Sequence, residues 1–137
     1  MSMMTGGCLC GQVRYQTEAN PLMTGVCHCR DCQKQTGTSF SIVVALPDGA
    51  LTLSGELREF KTTGESGQQV FRRFCGHCGS PLYSLVEAMP GLVFLKAGTL
   101  DDPSTLAPQA EFWCDTAQPW LASRETLPRL PRNPPAG

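Results

Sequence analysis

The chain has 137 residues and a formal net charge of −1 at pH 7. This length suits one domain with one modest hydrophobic core, and a net charge so near zero excludes a general attraction to nucleic acid or anionic membranes. No apolar run is long enough to span a bilayer. Residues 1–7, MSMMTGG, lack the basic and apolar segments of a secretory signal peptide. We therefore expect a cytoplasmic protein with no nucleic-acid or membrane partner.

Runs typical of β-strands follow one another along the chain. The segment QVRYQT alternates and places Val13, Tyr15 and Thr17 on one face, whereas residues 39–46, SFSIVVAL, are β-branched and apolar as in a buried strand. Shorter runs of the same kind follow at close spacing: ALTLSG, ELREFKT, QVFRRF, PLYSLV, GLVFLKAG and AEFWC. The pattern predicts a mainly-β fold.

Helix is predicted at one place only. Residues 29–36, CRDCQKQT, are ended by Gly37 as a left-handed cap, and this helix would carry Cys32 one turn after Cys29. Residues 100–106, LDDPSTL, indicate a turn. Residues 127–137, LPRLPRNPPAG, contain four prolines and little to bury, so we expect an extended or disordered tail after a domain that spans residues 1–126.

Eight cysteines are many for a chain of this length. An even number could form four disulfides, but that interpretation requires an oxidising compartment. Metal ligation is favoured because the cysteines cluster at ligand spacing. Seven of them fall into three clusters, and the eighth stands apart: Cys8 with Cys10; Cys27, Cys29 and Cys32; Cys75 with Cys78; and Cys114.

The pair Cys75 and Cys78 has the most specific pattern of the three. In C-G-H-C-G, two thiolates can face one ion across a tight turn, and Gly76 and Gly79 tolerate the backbone angles that such a turn needs. The alternative is a redox CxxC, which usually begins a helix in a thioredoxin-like pattern. Here Pro81 and a strand follow, which favours the metal site.

The pair Cys8 and Cys10 is a weaker signal when taken alone. Two buried small hydrophobic residues would give the same pattern. Three neighbouring glycines would let the chain bend until both sulfurs converge: Gly6, Gly7 and Gly11. This pair and the pair Cys75 and Cys78 together supply four thiolates, which complete a closed zinc site with Zn–S bonds of about 2.3 Å.

The middle cluster offers three thiolates, from Cys27, Cys29 and Cys32, and leaves a fourth position open. An open position for water or substrate is typical of a catalytic zinc, whereas structural sites are closed. In the alternative interpretation Cys114 closes this site and both zincs are structural. We favour a buried free thiol for Cys114, because it ends the alternating apolar run AEFWC.

His28 lies between two of the candidate ligands. A turn that brings Cys27 and Cys29 together would point His28 away, so we expect it beside the ligands or at the surface, with direct ligation as the alternative. Other polar residues are predicted to be exposed: His77, Arg72 with Arg73, and Asp101 with Asp102.

The order of these motifs resembles the family of glutathione-dependent formaldehyde-activating enzymes, also called the centromere protein V domain family. Four segments carry the resemblance: GGCLCGQVRYQ, CHCRDCQKQTGTSFS, FCGHCGSPLY and EFWCDTAQPWL. It covers residues 6–121, and Trp113 and Trp120 also fit the pattern. Cys114 departs from it, because an aliphatic or small residue is expected there.

The resemblance implies an Mss4-like β-tent, built from antiparallel sheets around a structural zinc on Cys8, Cys10, Cys75 and Cys78. It implies a second, catalytic zinc on Cys27, Cys29 and Cys32. With three protein ligands and an exchangeable fourth, this zinc is expected to be the more labile of the two. The implied activity is that of a carbon–sulfur lyase that interconverts glutathione plus formaldehyde and S-(hydroxymethyl)glutathione. Two other functions stay open: a non-catalytic zinc module that binds other proteins, and a sensor of metal or thiol state.

Overall fold

The computed structural model of the chain describes residues 3–64 and 67–134. Within them lie ten strands and one helix, which confirms the mainly-β prediction. The strands are β1 (Met4–Gly7), β2 (Arg14–Thr17), β3 (Met23–Cys27), β4 (Ser41–Pro47), β5 (Thr52–Ser54), β6 (Leu57–Thr63), β7 (Gln69–Cys75), β8 (Pro81–Val86), β9 (Leu92–Lys96) and β10 (Ala110–Phe112). The helix is α1 (Arg30–Thr36). Short 3-10 segments span Asp48–Ala50, Ala97–Thr99, Pro103–Thr105, Cys114–Thr116 and Leu121–Thr126.

The strands form two sheets. One has the order β1-β2-β5, and the other has the order β10-β3-β4-β9-β8-β7-β6. Neighbouring strands are antiparallel, as expected, except that β10 runs parallel to β3. A parallel neighbour requires a long connection, and the chain after β9 provides one. It first contacts β1, where the Asp101 amide donates to the Thr5 carbonyl, and it reaches β3 only at Gln109.

The hydrophobic core joins the two sheets. The predicted inward face is confirmed, because Val13, which precedes β2, and Tyr15 and Thr17 within β2 are all buried. Val13 and Tyr15 belong to a hydrophobic cluster that also contains Leu46 of β4 and Leu95 of β9, both fully buried. Burial of one such aliphatic side chain contributes about 2 kcal/mol to stability. This core fixes the ends of the strands that carry the cysteines.

The other face of the seven-stranded sheet is polar where α1 lies near it. The strand register puts Cys27 opposite Ser41, Val43 opposite Lys96, and Ser84 opposite Arg72. Since alternate residues of a strand share a face, Ser41, Lys96, Ser84 and Arg72 lie on one side of the sheet, and all are buried. We call these residues the polar face.

The prediction that Arg72 and Arg73 are both exposed is wrong for Arg72, which is 6 % exposed. Neighbours in a strand point to opposite faces, so only Arg73 reaches the partly exposed side, where it binds Glu59 at 3.1 Å. His77 is exposed as predicted. Asp101 is exposed too, and its pKa is lowered to about 2 by hydrogen bonds from Arg14 and then Thr5.

Two further differences from the sequence prediction concern the elements themselves. Strands β1 and β3 were not predicted, because MTGG and MTGVC are short and rich in glycine, which is uncommon in strands. Helix α1 starts one residue later than expected, with Cys29 as its N-cap, and it ends as predicted at Gly37. The described helix is too short to cross a membrane, and no other described helix could do so.

Candidate metal centres

The first centre brings together the sulfurs of Cys8, Cys10, Cys75 and Cys78, all within 4.8 Å of one another. The Sγ atoms of Cys8 and Cys10 are 3.5 Å apart, and those of Cys10 and Cys75 are 3.8 Å apart. Four sulfurs around a tetrahedral zinc with bonds of about 2.3 Å would stand about 3.8 Å apart. All four are free thiols. The spacing and the chemistry of this donor set therefore fit a zinc ion.

Two tight turns supply these sulfurs. One is closed by the Cys8 amide, which donates to the Val13 carbonyl at 3.0 Å, and the other by the Cys75 amide, which donates to the Ser80 carbonyl at 2.9 Å. Each turn contains a glycine with positive φ, 84° at Gly11 and 81° at Gly79, where a side chain would be strained. The expected bend at Gly6 and Gly7 is absent, because both lie in β1.

Backbone and hydroxyl groups point at the sulfurs of the first centre. The Val13 amide donates to Cys8 Sγ at 3.2 Å, and the His77 amide donates to Cys75 Sγ at 3.4 Å. The Ser80 hydroxyl oxygen lies 3.2 Å from Cys78 Sγ and also accepts a hydrogen bond from the Leu9 amide at 3.0 Å. The hydrogen bonds from Ser80 lower the pKa of Cys78 to about 5, which favours the thiolate that a metal requires. Sequence analysis did not identify Ser80.

The second centre brings together Cys27, Cys29 and Cys32, whose sulfurs also lie within 4.8 Å of one another. Cys27 ends β3, Cys29 caps α1, and Cys32 lies in the first turn of that helix. The Cys32 amide donates to Cys29 Sγ at 3.2 Å. Among the residues that the structure describes, no further Cys, His, Asp or Glu joins this group. Three sulfurs at this spacing are three of the four ligands that a tetrahedral zinc takes.

Cys114 belongs to neither centre and is exposed, so the prediction that it is a buried thiol is wrong. All residues of β10 are exposed, so the apolar alternation before Cys114 does not mark a buried face, and Trp113, with a left-handed backbone and φ of 59°, ends the strand. Cys114 then begins a 3-10 segment. This geometry does not support the alternative in which Cys114 closes the second centre.

His28 is buried and is not part of the cysteine group, as expected for a side chain that points away from the sulfurs. Its Nε2 lies 2.8 Å from Oε1 of Glu111, whose side chain is 62 % exposed. Its carbonyl accepts hydrogen bonds from Gln33 Nε2 at 2.7 Å and from the Thr116 hydroxyl at 2.8 Å. His28 thereby ties β3 to α1 and to the segment after β10.

Gln33 holds the second centre in place from within α1. Its buried side chain donates to the carbonyls of His28 and Thr116, and it accepts from Arg30 and from Gln118. All of these partners border the loop that presents the cysteines. This role of Gln33 was not predicted, because two of its partners, Thr116 and Gln118, lie 83 and 85 residues further along the chain.

We expect Gln33→Ala to lower the free energy of unfolding by about 2 kcal/mol, because the carbonyls of His28 and Thr116 each lose one donor and only the His28 carbonyl keeps another, the Thr116 hydroxyl. Urea denaturation measures this loss. Lys34→Ala is the matched control on the exposed side of the same helix, and its effect should stay below about 0.5 kcal/mol. Equal effects of the two substitutions would contradict the role assigned to Gln33.

The polar face lies against the second centre. Arg72 Nη1 is 4.0 Å from Cys32 Sγ, and Lys96 Nζ donates to Ser41 Oγ at 2.9 Å. The pKa of Cys32 is held far below that of an ordinary thiol, first by hydrogen bonds from Cys27 and Cys29 and then by the positive charges of Lys96 and Arg72. Hydrogen bonds from the Cys27 thiol to Cys29 and Cys32 raise the pKa of Cys27, because its proton is held between it and these neighbours.

The fold and the two centres define a mainly-β domain with one group of four cysteines and one group of three. The family model described as "Glutathione-dependent formaldehyde-activating enzyme" matches residues 3–116, so the chain belongs to this family. A search of curated proteins found no match. Among solved structures, the crystal structure of a Rhodobacter sphaeroides protein has a TM-score of 0.61 and 19 % identity, covering 80 % of this chain and 99 % of that one. At this identity the likeness shows the fold alone.

Proposed function

We propose that the chain is a zinc-dependent carbon–sulfur lyase that acts on the adduct of a small thiol, such as glutathione, and a small aldehyde, such as formaldehyde. The reaction is that of S-(hydroxymethyl)glutathione synthase. In this proposal Cys27, Cys29 and Cys32 hold a catalytic zinc, and the four cysteines of the first centre hold a structural one. Membership of the family supports the substrates. The observation that carries the proposal is the open group of three converging sulfurs.

The chemistry is one addition and its reversal. The thiol sulfur forms a bond to the aldehyde carbon, and the proton of the thiol moves to the former carbonyl oxygen. Zinc, when bound, supplies the charge that favours the thiolate form of a thiol substrate. Three anionic ligands reduce the Lewis acidity of the ion, so activation of the thiol is favoured over activation of the carbonyl.

The residues of this chain prepare the site for that step. Cys29, as the helix cap, accepts the Cys32 amide and so fixes the distance between two of the ligands. Gln33 and His28 hold the loop that carries the ligands against β3 and the segment after β10. A site held on a helix, a strand end and a packed loop keeps its geometry when the substrate enters.

A second candidate function is a non-catalytic zinc module that binds another protein. Three large aromatic side chains in β10 and the segment after it are exposed and favour it: Phe112, Trp113 and Trp120. Such residues are enriched in protein interfaces. In this case zinc would serve folding alone.

Exchange NMR on mixtures of glutathione and formaldehyde separates these functions. We expect the zinc-loaded protein to accelerate the exchange between free glutathione and S-(hydroxymethyl)glutathione above the rate in buffer. A sample from which a chelator has removed the more labile metal serves as the control and should return to the buffer rate. An absence of acceleration by the zinc-loaded protein would rule out the lyase for this substrate and favour the interaction module.

A further inference from the structure

Arg72 and Lys96 are buried cations without a carboxylate partner. They are 6 % and 5 % exposed, and within residues 3–64 and 67–134 neither takes part in an ion pair with Asp or Glu. Their protein oxygen partners are neutral hydroxyls: Thr62 Oγ1 at 3.4 Å from Arg72 Nε, and Ser41 Oγ at 2.9 Å from Lys96 Nζ. A buried charge without compensation costs several kcal/mol. Negative charge must therefore come from another source.

The cysteines of the second centre are that source. Arg72 Nη1 points at Cys32 Sγ at 4.0 Å. Lys96 binds Ser41, which lies directly opposite Cys27 in the register of β3 and β4. Both cations thus approach the centre from the polar face.

Counting charges shows what the open position favours. Three thiolates and one divalent ion carry a net charge of −1. Arg72 and Lys96 each add one positive charge, so the buried site as a whole carries a net charge of +1. Glu111 reduces this surplus little, because its side chain is 62 % exposed and is bound to His28, so water screens it. A fourth ligand with one negative charge brings the buried site to neutrality, whereas a neutral ligand leaves a charge uncompensated.

We propose that Arg72 is a positioning residue that, together with Lys96, makes the open position of the second centre select an anionic ligand, in particular a thiolate, over a neutral one. This inference rests on the proposed function only in taking Cys27, Cys29 and Cys32 as the metal-bearing reaction site. It adds a specificity determinant that acts through charge.

The test compares two ligands that share a nitrogen donor and differ in charge, azide and imidazole. Calorimetric titration into the zinc-loaded protein measures both affinities. We expect the wild type to prefer azide, and we expect Arg72→Gln to weaken azide about tenfold, as for the loss of one hydrogen bond or contact with a charged group. Its affinity for imidazole should stay within about twofold of the wild type. The change in the ratio is the readout, since a loosened structure would weaken both ligands alike.

Two variants serve as controls. Arg72→Lys keeps the charge and should retain the preference for azide. Arg73 lies on the opposite side of β7 and is already paired with Glu59. Arg73→Gln removes this neighbouring charge and should leave both affinities unchanged. Zinc content and circular dichroism report whether each variant retains its metals and its fold.

Several results would overturn the proposal. The first is a wild type that prefers imidazole or binds neither ligand. The second is an unchanged ratio of azide to imidazole affinity in Arg72→Gln. The third is an affinity for azide that falls as much in Arg72→Lys as in Arg72→Gln. If Arg72→Gln does not fold, the proposal is tested by the preference of the wild type and by the variant Lys96→Gln. A ratio of azide to imidazole affinity that is unchanged in Lys96→Gln would then count against the proposal. Neither probe is a substrate, so failure of the glutathione exchange assay with an intact azide preference would defeat the lyase alone.

Discussion

Cys75→Ala is expected to leave the chain without a stable fold. Cys75 is 1 % exposed and lies in the core at the end of β7. Its sulfur joins the turn after β7 to the turn after β1, which are 65 residues apart along the chain. Binding of a structural zinc supplies about 10–16 kcal/mol, whereas the net stability of a domain is about 5–15 kcal/mol. Loss of one of four ligands from this centre therefore removes most of the folding free energy.

Soluble expression, zinc content and a thermal melt measure this result. Cys114→Ala is the matched control, because Cys114 is an exposed thiol outside both centres, and it should express and melt like the wild type. A soluble Cys75→Ala protein that melts at the wild-type temperature with a full zinc content would show that the first centre does not stabilise the fold.

Cys29→Ser is expected to abolish the acceleration of glutathione–formaldehyde exchange while changing the free energy of unfolding by less than about 1 kcal/mol. Serine is a poor zinc ligand because its hydroxyl is hard to deprotonate. It is, however, a favourable N-cap, so its oxygen can accept the Cys32 amide as the Cys29 sulfur does. The substitution thus removes a proposed metal ligand and keeps the start of α1.

Exchange NMR measures the rates, and urea denaturation measures the stability. Cys114→Ser is the control and should keep the wild-type rate. Equal rates for the wild type and Cys29→Ser would contradict a catalytic role for the second centre. Loss of zinc from Cys114→Ser would instead restore the alternative in which Cys114 closes that centre.

Local patterns were sufficient to predict much of this molecule. Alternation along β2 identified the inward face with Val13, and Gly37 marked the end of α1. The spacing of the cysteines predicted which sulfurs come together, because a pair within a tight turn or a helical turn has few other arrangements. That these groups hold zinc, one structurally and one catalytically, stays a prediction.

The surroundings of the second centre could not be predicted in the same way. Arg72 is separated from Cys32 by 40 residues, and only the register of β7 within the sheet brings the two together. Exposure of Arg72 was the natural expectation, since charged residues are seldom buried. Cys114 was misplaced because the alternating run before it forms the edge strand β10, whose residues are all exposed, so the alternation marks no buried face.

The most direct test of two unlike metal centres is graded chelation of the purified protein, with zinc counted per chain and the fold followed by circular dichroism. We predict two zinc ions per chain at the start. One should leave at low chelator concentration without change in the spectrum, because three protein ligands and an exchangeable fourth release a metal more readily than four thiolates. The second should leave only as the chain unfolds. Simultaneous loss of both ions with unfolding, or a single ion per chain at the start, would contradict the account.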